Sequence, residues 1–158
     1  MIEIQPMSAE DWPAVEAIYA EGIAARGATF ETEPPSYAAF DASHLVEHRF
    51  VAVEDGRLLG WVALAPTSSR ACYAGVVENS VYVAESARGR GVGRTLMEAL
   101  LESAGAGGLW TIHAGMFPEN AASVALHESL GFRLVGRFER IAQLDGVWRD
   151  TILLELRL

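Results

Sequence analysis

The chain has 158 residues, 51% of them apolar, and a formal charge of −9 with arginine as its only strong base. One folded domain spanning residues 1–158 with a sizeable core is expected, and a disordered chain is excluded. The acidity argues against general nucleic-acid binding, no apolar run approaches the ~20 residues of a membrane span, and the lone Cys72 excludes an internal disulfide framework and argues against structural zinc.

The opening MIEIQPMSAED has neither the basic residues nor the apolar run of a signal peptide. A cytoplasmic location is the resulting expectation. Ile2–Gln5 reads as a short strand. Ser8 and Asp11 have the spacing of a capping box. The helix behind them carries Val15, Ile18, Tyr19 and Ile23 on one face. Pro13 is tolerable there only in the first turn. Gly27–Pro35 has loop composition around Phe30, which either lines a substrate pocket or packs beneath its own loop. Tyr37–His48 reads as a second helix, with His44 and His48 at the surface.

Arg49–Glu54 and Leu58–Leu64 are strands joined by Asp55-Gly56, a type I′ hairpin signal. Ala65–Gly75 is a Ser/Thr-rich loop. Val76–Val83 is the central strand. Behind it, Gly89, Gly91 and Gly93 alternate with Arg88, Arg90 and Arg94. Leu96, Met97, Leu100 and Leu101 then give a helical pattern that ends at Gly105–Gly108. The order is strand, Gly/Arg loop, helix. Glycines bring backbone N–H groups close to a ligand, a helix N-terminus adds free donors, and arginines add charge-assisted bonds. The combination suits a phosphate. The P-loop pattern requires a lysine, which is absent, and the Rossmann pattern requires glycine where Arg94 stands.

Leu109–Ala114 is the next strand, extending towards Met116. Asn120 is a good N-cap. Its helix is expected to bury Ala122, Ala125, Leu126 and Leu130, with Gly131 as C-cap. Phe132–Ile141 and Trp148–Leu156 are strands joined through Asp145-Gly146. The elements form an α+β pattern of mainly antiparallel strands around one strand–helix–strand unit. His113 lies in an apolar strand and reads as structural.

Arg88-x-x-Gly91-x-Gly93 resembles the coenzyme A pyrophosphate loop of the GCN5-related N-acetyltransferase (GNAT) superfamily. Asn120-Ala-Ala-Ser-Val-Ala-Leu-His-Glu-Ser-Leu-Gly131-Phe132 is similar to that family's second signature. Phe30-Glu-Thr-Glu-Pro, Arg70-x-x-Tyr73, Glu78 before Ser-Val-Tyr-Val and Leu-His127-Glu resemble the phosphinothricin and methionine-sulfoximine N-acetyltransferase branch.

The resemblance implies a mixed, mostly antiparallel sheet with splayed central strands, flanked by helices. It implies acetyl-CoA as co-substrate, without a metal. Expected cofactor contacts are Val81, Tyr82, Val83, Arg88, Gly89, Arg90, Gly91, Val92, Gly93, Arg94, Asn120 and Ser123. The acceptor would be a small amino acid, met by Phe30, Arg70, Tyr73, Glu78 and Ser80. An arginine fork suits its anionic groups.

Acetyl transfer needs a base, because an ammonium has no lone pair. Glu78 is the candidate, against the alternative of an exposed residue at a strand start. His127 stands where the family commonly has tyrosine; it is an acid for the departing thiolate, a substrate ligand or a satisfied groove residue. Trp148 and Asp150 resemble a segment that in relatives contributes to a dimer and the pocket wall. A homodimer is expected, with neither nucleic acid nor membrane as partner. A different acceptor amine, a protein N-terminus and a non-catalytic coenzyme A-binding module remain the alternatives.

Overall fold

A computed structural model describes residues 1–158. Seven strands form one sheet in the order β1-β2-β3-β4-β5-β7-β6. They are β1 (Glu3–Pro6), β2 (Phe50–Glu54), β3 (Arg57–Pro66), β4 (Val76–Val83), β5 (Thr111–Met116), β6 (Arg133–Leu144) and β7 (Val147–Arg157). The helices are α1 (Trp12–Ala24), α2 (Tyr37–Ser43), α3 (Val92–Ala106) and α4 (Ala121–Ser129).

All pairings are antiparallel except β4 with β5. A parallel pair requires a crossover, and α3 supplies it. The β4–β5 pairing covers only Val76–Glu78 against Thr111–His113. Beyond that point β4 runs on to Val83 and β5 to Met116 without pairing, so the two strands part in the middle of the sheet. The splayed sheet expected from the sequence is the one observed.

Alternation along β4 divides its residues between the two faces. Glu78, Ser80 and Tyr82 share one face, where Tyr82 stacks on Trp61 of β3 and Tyr19 of α1 at ring separations of 5.0 and 4.8 Å. Asn79 lies on the other, near Met97 of α3 and His127 of α4. Leu96, Met97 and Leu100 of α3 are fully buried in a cluster with Val62, Leu64 and Ile112.

The sequence-level turns are present. Asp55-Gly56 and Asp145-Gly146 both place two residues at positive φ, as a type I′ hairpin demands. The Ser8 N–H donates to Asp11 Oδ2 at 2.8 Å; this box caps a 3₁₀ turn that runs directly into α1. Pro13 sits in the first turn of α1.

Three expectations are corrected. The second helix ends at Ser43 rather than His48. Arg49, buried at the start of β2, donates to the carbonyls of His44 and Leu45 and pairs with Asp41, taking the acceptors that a longer helix would need. His44 and His48 are half-buried rather than superficial: His44 stacks on Phe40 at 4.1 Å and His48 bonds Ser103 at 2.7 Å. In α4, Ala122 and Ala125 are exposed and His127 takes the buried position.

Candidate active site

The N-terminus of α3 dictates the first half of the site. Gly91 is the N-cap at φ 79°, and no side chain caps the helix. Gly89 also has positive φ, a conformation glycine reaches without a Cβ penalty. The first intrahelical backbone bond comes from Thr95 N–H to the Gly91 carbonyl. The preceding N–H groups therefore point free out of the helix, where they and the helix dipole favour an anion.

These donors open into a cavity of about 680 Å³ bounded by the end of β4, the start of α3, the loop after α1 and α4. Val81, Tyr82 and Val83 of β4, Arg88, Gly89, Gly91, Val92, Gly93 and Arg94, and Asn120 and Ser123 of α4 all line it. Arg90 does not, because Glu54 of β2 holds its guanidinium at 2.6 Å. The Arg94 side chain pairs with Glu98 and Ser129. A Cβ on Gly93 would lie only 3.4 Å from Leu126 and 3.5 Å from Val83. The cradle fits a chain-like ligand with a phosphorylated end.

A second cavity, about 190 Å³, adjoins the first and shares Ala28, Val81, Tyr82, Asn120 and Ser123 with it. Glu78, Ser80, Asn79 and His127 line it, with Tyr19, Thr29, Glu31 and Gly115. Glu78 is solvent-exposed at the rim of this cavity; partial burial of its carboxyl raises its pKa, with His113 opposing that rise. The Glu78 side chain leans over β5: its Oε1 lies 3.8 Å from the place a Cβ on Gly115 would take. Tyr19 and Tyr82 hold their protons tightly, raised chiefly by burial. The loop after α1 reaches both cavities: Ala28 lines both and Thr29 the smaller.

His127 is only 2% exposed. Its Nδ1 lies 2.7 Å from the Ser123 carbonyl. A carbonyl only accepts, so Nδ1 carries the proton. Nε2 then accepts from Asn79 Nδ2 at 3.1 Å. Burial lowers the pKa of this ring, consistent with a neutral imidazole whose two nitrogens are already used.

The other expected acceptor residues stand apart. Arg70 and Tyr73 lie on the turn before β4 and line neither cavity. Tyr73 is 45% exposed, with the Arg70 guanidinium 5.5 Å above its ring. Phe30 packs edge-on against Phe117 at 5.0 Å, and Arg149 lies 4.0 Å above the other partner's ring, that of Phe117. Asp150 binds Arg137 and the Arg140 N–H, bracing a bulge in β6.

Sequence reasoning missed Tyr19, Gly22, Thr29, Glu31, Asn79, Gly115 and Arg149. Gly22 left a signal. A glycine inside a helix costs about 1 kcal/mol relative to alanine, and here a Cβ would come within 2.6 Å of Tyr82 Cε1. The remainder carry no local signature, since long-range packing brings them to the cavities.

Comparison with known proteins agrees with this geometry. The profile of the acetyltransferase (GNAT) family matches residues 10–132. An L-methionine sulfoximine/L-methionine sulfone acetyltransferase of Pseudomonas paraeruginosa is 32% identical, over 98% of this chain and 94% of its own. A phosphinothricin N-acetyltransferase of Alcaligenes faecalis is 34% identical, over 92% of this chain and 77% of its own. The solved structure of a GNAT-superfamily phosphinothricin acetyltransferase from Sinorhizobium meliloti, in complex with acetyl-CoA, superimposes with a TM-score of 0.90 at 29% identity. It covers 99% of this chain and 88% of that one. Profile, near-full-length relatives and sheet geometry coincide, so the chain belongs to the GNAT family and is an N-acetyltransferase.

Proposed function

We propose that this enzyme transfers the acetyl group of acetyl-CoA to the amine of a small amino acid of the phosphinothricin or methionine-sulfoximine type, by direct attack in a ternary complex. One observation carries the reading: the long cavity at the α3 N-terminus and the small cavity holding Glu78 meet along Val81 and Tyr82. A thioester extended along β4 would bring its carbonyl to that junction. The relatives' printed activities supply the acceptor class.

In this reading the backbone N–H groups of Gly89–Arg94 and the Arg88 side chain hold the pyrophosphate. Asn120 and Ser123 bound the opposite wall. Coenzyme A supplies a thioester carbonyl open to attack and a stable thiolate leaving group. Glu78 takes a proton from the acceptor's ammonium. The freed lone pair attacks the carbonyl carbon, the C–N bond forms, the C–S bond breaks with its electron pair going to sulfur, and the proton left on nitrogen passes to the departing thiolate. Positioning both reactants in one cleft supplies several kcal/mol of the acceleration. His127, with both nitrogens occupied, holds α4 to β4 and is not the thiolate's acid. Arg70 and Tyr73 are assigned the acceptor's anionic groups on the branch motif alone, since neither lines the small cavity.

The protein works as a homodimer through the β6–β7 hairpin. Support comes from Leu134, Val135, Phe138, Ile141, Val147 and Trp148, large apolar side chains left exposed along it at an edge of the sheet. Cytoplasmic residence without nucleic-acid or membrane partners is part of the same proposal, supported by the acidic composition.

A second acceptor class has its own support. The small cavity carries Glu31 and Glu78 and no arginine, a lining that favours a more cationic amine. Thiol release from acetyl-CoA, measured against amino acids, their sulfoximines and sulfones, polyamines and peptides, separates the two. Turnover of sulfoximines with a raised KM in Arg70→Ala is the expected result. A preference for polyamines, improved by Arg70→Ala, overturns the anionic-acceptor reading.

A further inference from the structure

Three arginines line the large cavity: Arg88, Arg94 and Arg149. The first two flank the glycines of the loop before α3. Arg149 comes from β7 and is held by other elements. Its guanidinium carbon lies 4.0 Å from the centre of the Phe117 ring, and Phe30 packs edge-on against that same ring. The Arg149 side chain is 22% exposed. Its polar partners are weak for a group with five N–H donors. Nη1 donates to the Arg26 carbonyl at a long 3.4 Å, and Nη2 stands 3.7 Å from the largely exposed Glu119 carboxylate. Stacking fixes the guanidinium, and its hydrogen-bonding capacity is mostly unspent.

The segments that hold Arg149 also wall the small cavity. Phe117 directly follows Gly115 and Met116, and Arg26 stands just ahead of Ala28 and Thr29; all four of those neighbours line the small cavity. Ala28 and Asn120, the residue after Glu119, line both cavities. The small cavity itself carries Glu31 and Glu78 and no arginine, so it repels a carboxylate.

We propose that Arg149 is an acceptor-binding residue that takes the substrate's carboxylate. The inference rests on the proposed amino-acid acceptor and names a further residue that selects it. In an α-amino acid the amine and the carboxylate share one carbon. An amine at the junction of the two cavities therefore leaves the carboxylate at their common wall, where Ala28 and Asn120 adjoin the segments that hold Arg149. A planar guanidinium binds a carboxylate through two parallel N–H···O bonds, which replace the loose Glu119 pairing. Arg70 lines neither cavity, and the glycine loop is committed to the cofactor.

The test compares, in the full-length enzyme, the best amino-acid acceptor with its α-carboxamide, which keeps the amine and side chain and lacks the negative charge. The readout is the ratio of kcat/KM for acid over amide. In Arg149→Gln this ratio should fall tenfold or more, through the KM of the acid, with acetyl-CoA affinity retained in calorimetry. Arg149→Lys keeps the charge without the fork and should recover part of the ratio. An equal rise in KM for acid and amide marks a packing lesion and overturns the inference. An unmoved ratio also overturns it, and weakened acetyl-CoA affinity beside that ratio would make Arg149 a cofactor contact. The acceptor reading fails separately: if the wild-type enzyme turns over polyamines and no α-amino acid, the substrate class is wrong and Arg149 has no carboxylate to take.

Discussion

Glu78 sits at the point where pairing between β4 and β5 ends. Burial raises its pKa. As the proposed base it must be ionised to accept a proton, so rate should fall as pH drops through this raised value, with an acidic limb above that of an ordinary glutamate. Glu78→Gln keeps size and removes the proton acceptor. The kcat should fall about 10²–10⁴-fold with acetyl-CoA affinity unchanged, read by steady-state kinetics and calorimetry. His127 belongs to the same cleft in another capacity. Removing its ring takes the Nε2 acceptor from the buried Asn79 amide. A stranded buried group costs roughly 1–3 kcal/mol, so His127→Ala should lose about 2–4 kcal/mol of stability in urea unfolding. A stability loss far below that would show that the ring does not hold α4 to β4.

At the scale of elements, the α3 N-terminus is the proposed cofactor cradle. Gly91 stands at φ 79°, where a β-branched residue is strained. Gly91→Val should therefore distort the loop and weaken acetyl-CoA binding more than tenfold in calorimetry, with a smaller effect on unfolding. The interior of α1 has a comparable constraint. Gly22 gives up helix propensity so that Tyr82 can lie against it. Gly22→Leu would drive the Tyr82 ring off its stack with Trp61, costing about 1–3 kcal/mol as overpacking and narrowing both cavities. Unfolding combined with acetyl-CoA titration reads the two effects separately.

For the whole molecule, the sheet order leaves β6 at one edge, and its hairpin with β7 carries the exposed apolar side chains. Trp148 is 54% exposed and Phe138 48%. A second copy covering this hairpin would remove them from water at about 25 cal/mol per Å². Sedimentation should give twice the 17.1 kDa chain mass, and Phe138→Asp with Trp148→Asp should return it to one. A wild-type monomer at micromolar concentration would refute the homodimer.

The sequence by itself determined the features that are local in the chain. Val-Tyr-Val, the alternating glycines and the Leu/Met periodicity specify strand, loop and helix within 25 residues, because propensity, positive φ and apolar spacing act over neighbours. The Gly91 cradle and the Asn120 cap were legible for that reason, as were both Asp-Gly turns. Glu78 was legible through its place before the cofactor strand. Tertiary structure decided what depends on distant partners. Arg49 shortened α2 by claiming carbonyls at its end. Asn79 and Phe132 enclosed His127, and Asn79 took up the Nε2 that the local bond to the Ser123 carbonyl leaves as an acceptor. His113 read as an apolar-strand residue because its hydrogen-bond partner, Glu155, lies 42 positions away in the chain, and its register neighbour Glu78 35 positions. Only strand register brings them to one row, and register is set by the packing of the whole sheet.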